Sequence, residues 1–195
     1  MRLFIAIELP DAARRSLERG VSEMRGNHGW RFVPARNLHL TLRFLGEVSA
    51  EQLQPLSAAC APAVQSVTGG SLELTGLGVF PGPRRPRVLW CGLDQHPADW
   101  LLPLARKVEQ AVRSAGFAAE ERAFRPHVTL GRAARGQRPR APLSGPGPEG
   151  REEAVRFEVS RVVLYRSRLG PAGARYEVLE TWPLAGTDAP GPQAG

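Results

Sequence analysis

Apolar residues repeat along this chain with two different spacings. An apolar run and several stretches with a spacing of two predict strands, and apolar positions three or four residues apart predict amphipathic helices. The predicted order is β-α-β-β-α-β-β-α-β-β-β, which is typical of an α+β protein. The predicted strands cover 2–8, 30–33, 38–45, 71–79, 88–93, 127–130, 155–165 and 174–181, and the predicted helices run from Asp11 to about Gly26, from Ser49 to about Ser66 and from Pro97 to Gly116.

Several local signals refine these boundaries. Asp11 is a candidate N-cap of the first helix, and Ser49-x-x-Gln52 is a capping box for the second. The glycines within 71–79 predict a bulge or a close approach of the backbone to a neighbouring group. Residues 117–125 are predicted to pair as an edge segment.

Two segments have the composition of irregular chain. Residues 133–153 hold many Gly, Pro and Arg residues and few large apolar ones, so we expect a mobile surface loop. The Gly- and Pro-rich stretch 185–195 is predicted to be disordered. Residues 1–184 then form a single domain.

One four-residue pattern occurs twice, and we call its copies the first tetrad (His39–Leu42) and the second tetrad (His127–Leu130). Successive side chains of a strand point to opposite faces, so the His and Thr of each tetrad share one face and the two aliphatic residues share the other. Each half of the chain contributes one tetrad strand and a covering helix. The sequence therefore predicts a duplicated architecture with a pseudo-twofold cleft in which two imidazoles and two hydroxyls surround one small anion.

Charge and cysteine content narrow the class of protein. The 195-residue chain carries a formal net charge of +7, which favours polyanionic partners. Its basic residues are almost all Arg, and a GC-rich genome explains that bias without any function. Cys60 and Cys91 lack metal or redox spacing, so we expect both to be reduced and buried. No leader or membrane-spanning run is recognised, so we predict a cytoplasmic protein with no membrane partner.

The tetrads suggest acid–base chemistry on a phosphate. A neutral imidazole accepts a proton and an imidazolium donates one near pH 7, so a pair can activate water and protonate a leaving oxygen. The hydroxyls of Thr41 and Thr129 can hold non-bridging oxygens. Neither tetrad has a nearby carboxylate or cysteine, so we expect no metal, and no nucleotide-cofactor motif or nucleophile elbow occurs. His28 and His96 receive no role.

Longer segments around the tetrads resemble a known family. The chain is similar to the 2H phosphoesterase superfamily, and more closely to the bacterial and archaeal RNA 2′,3′-cyclic phosphodiesterases, first described as 2′-5′ RNA ligases. The similarity covers residues 2 to about 184. The segments that carry it are Arg2–Pro10, Asn37–Gly46, Gly76–Phe80, Arg125–Arg132 and Leu164–Ser167.

The resemblance implies a fold and a reaction. The fold is bilobal α+β, with two antiparallel sheets that form a central cleft and helices on the outside. The reaction is metal-independent hydrolysis of a 2′,3′-cyclic phosphate at an RNA end to a 2′-phosphomonoester, without a cofactor. It implies that His39 donates a proton to O3′ and that His127 accepts one from water, although the near-symmetry of the tetrads leaves this assignment open on residues alone. We expect a monomer.

Three further side chains are candidates for substrate binding. Arg132 matches a family arginine near the phosphate, but strict alternation would place it on the wrong face unless a bulge or strand end intervenes. Arg43 shares the parity of His39 and either lines the cleft or faces solvent. Tyr165, like Trp90, either stacks on a base or packs in the core.

Two alternatives to hydrolysis remain on sequence grounds. The first is 2′-5′ RNA ligase activity in the same site, and the second is a non-catalytic nucleotide-binding module. Arginines in the two Pro-rich loops are expected to contact longer RNA more than a dinucleotide; they are Arg84, Arg85, Arg135, Arg138 and Arg140.

Overall fold

The computed structural model describes residues 1–24, 29–96, 99–140, 155–171 and 173–186. The predicted order of elements is confirmed, with one additional short strand, β7. The helices are α1 (Asp11–Glu23), α2 (Leu53–Gln65) and α3 (Leu101–Ser114), and a 3-10 helix covers Ala35–Asn37. The strands are β1 (Arg2–Glu8), β2 (Trp30–Phe32), β3 (His39–Glu47), β4 (Ser71–Phe80), β5 (Val88–His96), β6 (His127–Ala133), β7 (Arg156–Glu158), β8 (Arg161–Gly170) and β9 (Gly173–Pro183).

The strands form a strongly curled antiparallel sheet in the order β7-β4-β5-β6-β3-β1-β8-β9, with β2 beside β6. The two tetrad strands, β3 and β6, lie next to each other in its middle. Outward from β3 come β1, β8 and β9, and outward from β6 come β5, β4 and β7. The two lobes expected from the resemblance are therefore the halves of one sheet, joined where Leu40 pairs with Val128.

The helices cover one face of this sheet, which we call the helix face. Helix α3 turns Leu104, Val108 and Val112 inward, and α2 does the same with Leu56 and Cys60. These side chains form one core cluster with the aliphatic residues of both tetrads. Burying that cluster fixes which way each tetrad strand faces, because slipping a strand by one residue would turn its apolar set outward.

A second, smaller cluster lies on the opposite face. It contains Phe4, Ala6, Val163 and Tyr165, with Tyr176 packed against it. Strand β1 is thus covered on both sides, which explains its unbroken apolar sequence: residues 3–7 are all buried.

Several boundary predictions need correction. Asp11 is the first residue of α1 rather than its cap, and Pro10 holds the cap position. Helix α2 begins at Leu53 rather than at Ser49, but one hydrogen bond of the predicted capping box is present, from the Ser49 N–H to the Gln52 side-chain oxygen. Residues 117–125 form no strand. They leave α3 as irregular chain, in which the Ala118 carbonyl and the Glu120 carboxylate contact Arg43.

The C-terminal strands also differ from the prediction. The single strand expected over 155–165 is interrupted at 159–160, so that β7 pairs with β4 while β8 pairs with β1 and β9. The mobile loop expected at 133–153 begins later, because β6 extends to Ala133; its residues 141–153 lie outside the described part, as do 187–195 of the predicted tail and His28.

Two other expectations concern cysteine and the membrane. Cys60 and Cys91 are both buried thiols rather than disulfide partners, as predicted, and burial raises the pKa of the Cys60 thiol to about 12. Within the described ranges, none of the helices is long and apolar enough to span a bilayer.

Candidate active site

The register at the centre of the sheet brings the two tetrads together. Leu40 lies directly opposite Val128, and both are fully buried on the helix face. The strands are antiparallel, so His39 lies beside Thr129 and Thr41 beside His127. The four polar side chains therefore share the other face, which we call the tetrad face, and each of them is half-buried.

The same register sets the spacing of the two histidines. They are diagonal neighbours across the strand pair, and such neighbours lie about 7–8 Å apart. This gap can hold a phosphate with an imidazole on either side. The two imidazoles and the two hydroxyls thus share the centre of the tetrad face, and the anion between them stays a prediction.

Each imidazole is oriented by the carbonyl two residues before it. Nδ1 of His39 lies 2.7 Å from the Asn37 carbonyl oxygen, and Nδ1 of His127 lies 2.7 Å from that of Arg125. A carbonyl oxygen can only accept, so Nδ1 carries the hydrogen in both rings. Nε2 is then free to accept a proton when the ring is neutral and to donate one when it is charged.

His39 stands in an aromatic wall. The ring centroids of Phe4 and Tyr176 lie 4.8 and 5.3 Å from the centroid of its ring, with Tyr176 edge-on. Burial is the main cause that lowers the pKa of His39 to about 4, and the charges of Arg132 and His127 lower it further. The Asn37 carbonyl opposes this shift without reversing it. In the unliganded protein His39 is therefore neutral at pH 7.

A carboxylate next to His39 does not change this. Glu8 is its partner across the β1–β3 pair, but its oxygens are held at 2.9 Å by Arg14 and at 3.0 Å by Arg161. Burial would raise the pKa of Glu8, and these two guanidinium contacts outweigh it and lower the pKa instead. The Glu8 carboxylate is thus paired with Arg14 and Arg161, and the immediate neighbours of the His39 ring are aromatic.

His127 has a different wall, made by Phe80 and Trp90. Their ring centroids lie 5.2 and 6.4 Å from the centroid of the His127 ring. Trp90 stacks on Phe80 and lies flat over Gly78, where a Cβ would come within 2.1 Å of the indole. The close backbone approach predicted from the glycines of this strand is confirmed at Gly78.

Each tetrad strand also contains a β-bulge. Leu42 has no partner between the pairs Ile5–Arg43 and Ala6–Thr41, and Leu130 has none between Leu89–Gly131 and Trp90–Thr129. A bulge inserts one residue and resets the alternation of faces. The residues that follow each tetrad are thereby turned to the face opposite to the one that strict alternation predicts.

The bulge at Leu130 brings Arg132 to the tetrad face, as the sequence required for a role there. Its charge lowers the pKa of both His39 and Tyr176. The guanidinium of Arg132 is therefore within electrostatic range of the aromatic wall around His39.

The bulge at Leu42 turns Arg43 away, so its predicted place in the cleft is wrong. Nε of Arg43 lies 2.6 Å from the Glu109 carboxylate of α3, and NH2 donates to the Ala118 carbonyl. Arg43 is a structural cation between the sheet and α3. The alternative of a solvent-facing side chain is also wrong, because only 11% of the side chain is exposed.

Tyr165 does not stack on a ligand in this arrangement. It is 8% exposed, stacks on Phe4 at 5.2 Å and has its pKa raised to about 12, mainly by burial. The core-packing alternative that the sequence left open is the right one. The accessible rings on this wall are Tyr176, which is half-buried, and Phe44, which is 49% exposed and lies 6.0 Å from Phe4.

Asn37 is a site residue that the sequence reasoning missed. It is a buried polar residue whose carbonyl orients His39 and whose side-chain amide donates at 2.7 Å to the Ala174 carbonyl at the start of β9. Asn37 thus ties the imidazole to the hairpin that carries Tyr176. Its signal in the sequence is its place two residues before His39, but the contact to β9 spans 137 positions and no local pattern encodes it.

The donor set of the site is suited to acid–base chemistry. It consists of two imidazoles, two hydroxyls and a guanidinium, and across the part of the chain that the structure describes no three His, Cys, Asp or Glu side chains form a group that could hold a metal ion. The side chain of His96 is not described.

Comparisons with known proteins agree with this geometry. Residues 7–90 and 92–176 match the family model of LigT-like phosphoesterases. Among curated proteins, an RNA 2′,3′-cyclic phosphodiesterase of Thermus thermophilus is 35% identical over 195 residues, covering 95% of this chain and 91% of the relative. One of Geobacillus stearothermophilus is 32% identical, and this chain spans 57% of its length.

Among solved structures, the crystal structure of Escherichia coli LigT complexed with 3′-AMP superposes with a TM-score of 0.79 at 32% identity, covering 94% of this chain and 97% of that one. Sequence and fold thus agree over nearly the full length described, in both halves and across both tetrads. From this agreement we conclude that the chain belongs to the family of LigT-like phosphoesterases.

Proposed function

We propose that this protein hydrolyses the 2′,3′-cyclic phosphate at the end of an RNA chain to a 2′-phosphomonoester. The observation that carries the proposal is the convergence of His39 and His127, with their free Nε2 atoms, on one face of the central strand pair. Relatives that bear the name RNA 2′,3′-cyclic phosphodiesterase over almost the whole of this chain support the same substrate class.

In the proposed mechanism the two histidines act on opposite sides of one phosphorus. Nε2 of His127 takes a proton from water as the water oxygen attacks phosphorus. The bond from phosphorus to O3′ breaks, and Nε2 of His39 gives its proton to O3′. Exchange with solvent then returns the proton from His127 and resets the pair.

The donor role of His39 requires that it gain a proton with the substrate. Burial keeps the ring neutral in the free protein. A phosphodiester anion placed beside the ring favours the charged form, because an opposite charge within a few Å raises the pKa of an imidazole. Arrival of the substrate and protonation of His39 are therefore coupled.

Charge on the phosphoryl oxygens is met by the remaining donors. Thr41 and Thr129 flank the gap between the two imidazoles and can donate to the non-bridging oxygens as charge develops there. Arg132 adds a full positive charge nearby. Because these groups can supply the electrostatic stabilisation themselves, we propose that the reaction is independent of a metal ion. All of them come from one chain, so we also propose that the enzyme works as a monomer.

The test is turnover of adenosine 2′,3′-cyclic phosphate in the presence of EDTA, with the product identified by chromatography. We expect the 2′-phosphate. Release of the 3′-phosphate would overturn the assignment of O3′ as leaving group, and loss of activity with EDTA would overturn metal independence. Tight binding without turnover would favour a nucleotide-binding module.

A further inference from the structure

An arginine pair lies across two strands next to the site. In the β2–β6 pair Arg31 is directly opposite Arg132, and both side chains are exposed. Like charges directly opposite each other destabilise a strand pair. The Arg31–Arg132 pair therefore destabilises the folded protein, which suggests that the two arginines serve a function.

Both members of the pair point to the tetrad face. Trp30 and Phe32, on either side of Arg31, pack into the core on the helix face, so alternation turns Arg31 the other way. The bulge at Leu130 does the same for Arg132. The two guanidiniums thus extend the reaction centre by one strand, towards the edge of the sheet that β2 forms.

A second cross-strand arginine pair has a carboxylate beside it. Arg168 also lies opposite an arginine, Arg175, but Glu177 meets it at 2.8 Å. Arg14, Arg43 and Arg161 likewise contact carboxylates. In the part of the chain that the structure describes, neither Arg31 nor Arg132 has such a partner.

We propose that Arg31 and Arg132 together bind a second phosphate group, the phosphodiester that precedes the terminal nucleotide of the RNA. The inference rests on the proposed function, because a 2′,3′-cyclic phosphate ends the chain and any further phosphate of the strand lies on its 5′ side. Paired guanidiniums suit a phosphodiester, since each presents several N–H donors to its oxygens. The substrate class is then an oligonucleotide end rather than a free cyclic mononucleotide.

The experiment compares three substrates in the wild type and in Arg31→Gln: adenosine 2′,3′-cyclic phosphate, the same nucleoside with an added 5′-phosphate, and a dinucleotide that ends in a 2′,3′-cyclic phosphate. We expect Arg31→Gln to lower kcat/KM for the dinucleotide about 10-fold more than for the first compound, the size of one charge-assisted contact. For the dinucleotide the slope of log(kcat/KM) against log(salt) should become shallower by about 0.7, the share of one phosphate contact in a single strand. If Arg31→Gln lowers kcat/KM for the compound with the 5′-phosphate as much as for the dinucleotide, the arginine pair binds a phosphate monoester at this position equally well. That result would overturn the assignment of the site to a phosphodiester.

Arg106→Gln is the matched control. Arg106 is an exposed arginine of α3, outside the site, and its loss changes the net charge by the same amount. We expect it to affect the three substrates alike. Equal losses in Arg31→Gln would overturn the inference.

A binding titration separates this inference from the proposed function. The affinities of wild type and variant for a dinucleotide with a terminal 2′-phosphate and for adenosine 2′-phosphate need no turnover. We expect Arg31→Gln to lower the affinity for the dinucleotide about 10-fold and to leave the affinity for adenosine 2′-phosphate unchanged. If the wild type fails to hydrolyse any cyclic phosphate, the proposed function fails while this ratio still decides the second phosphate site.

Discussion

The two histidines share the His-x-Thr-Leu pattern and the same kind of backbone contact, but their surroundings differ. His39 is enclosed by Phe4 and by Tyr176, and Asn37 ties it to the β8–β9 hairpin. His127 packs against Phe80 and Trp90, at the side of the sheet where Arg31 of β2 lies opposite Arg132 of β6. The repeated motif therefore fixes the geometry of the site, while strands distant in sequence fix its electrostatics.

The different surroundings affect how readily the His39 imidazole takes up a proton. The aromatic wall removes water from His39 and disfavours its charged form. The residues responsible for this lie on β1 and β9, at opposite ends of the chain. A pair of chemically equal residues can in this way acquire different tasks.

The largest effect is expected from removing either imidazole. His39→Asn and His127→Asn should each lower kcat for a 2′,3′-cyclic nucleotide by about 10²- to 10⁴-fold, the usual contribution of a positioned general acid or base. Since the two act in one step, the double variant should be little worse than either single one. Steady-state rates with circular dichroism as a control for folding test this, and a single variant that keeps near wild-type turnover contradicts the pair mechanism.

The roles of the two rings are separated by the leaving group. A cyclic substrate with sulfur in place of O3′ has a leaving group that needs no proton, so the defect of the variant that lacks the acid should shrink. With the sulfur-containing substrate, we expect the rate defect of His39→Asn relative to wild type to shrink at least about 10-fold and that of His127→Asn to stay the same. Relief confined to His127→Asn would exchange the two roles.

The contact between the Asn37 side chain and the β8–β9 hairpin is expected to hold His39 in place. Asn37→Ala keeps the carbonyl that holds His39 but removes the amide contact to Ala174, a loss of about 1–3 kcal/mol for a buried partner. We expect kcat to fall about 10-fold and the NMR titration midpoint of His39 to rise as its wall loosens. Arg125→Ala truncates the side chain at the equivalent position before His127, where no side-chain contact occurs among the described residues, and should have a smaller effect on kcat for a cyclic mononucleotide. Equal effects of the two variants would refute the positioning role of Asn37.

The last expected effect is on stability at low pH rather than on turnover. The pKa of His39 is about 4 in the folded protein, against about 6.5 when unfolded. Unfolding therefore takes up a proton between these values, so the free energy of unfolding falls as pH drops from 6.5 to 4. His39→Gln should flatten this part of the profile in denaturant titrations. An unchanged slope would show that the folded protein does not disfavour the imidazolium.

The sequence was sufficient for the elements and for the four polar tetrad residues, because both follow from short-range alternation. It failed where a single residue breaks that alternation. The bulges at Leu42 and Leu130 turn Arg43 out of the cleft and bring Arg132 in, and no local signal marks either. Tyr165 was ambiguous because its exposure depends on Phe4, and Asn37 was missed because its partner lies 137 positions away.

The most direct measurement is a crystal structure with adenosine 2′-phosphate bound. We expect oxygens of a single phosphate within hydrogen-bonding distance of Nε2 of both His39 and His127, with the hydroxyls of Thr41 and Thr129 on the remaining oxygens. A phosphate that contacts one imidazole alone, or that binds away from the central strand pair, would contradict it.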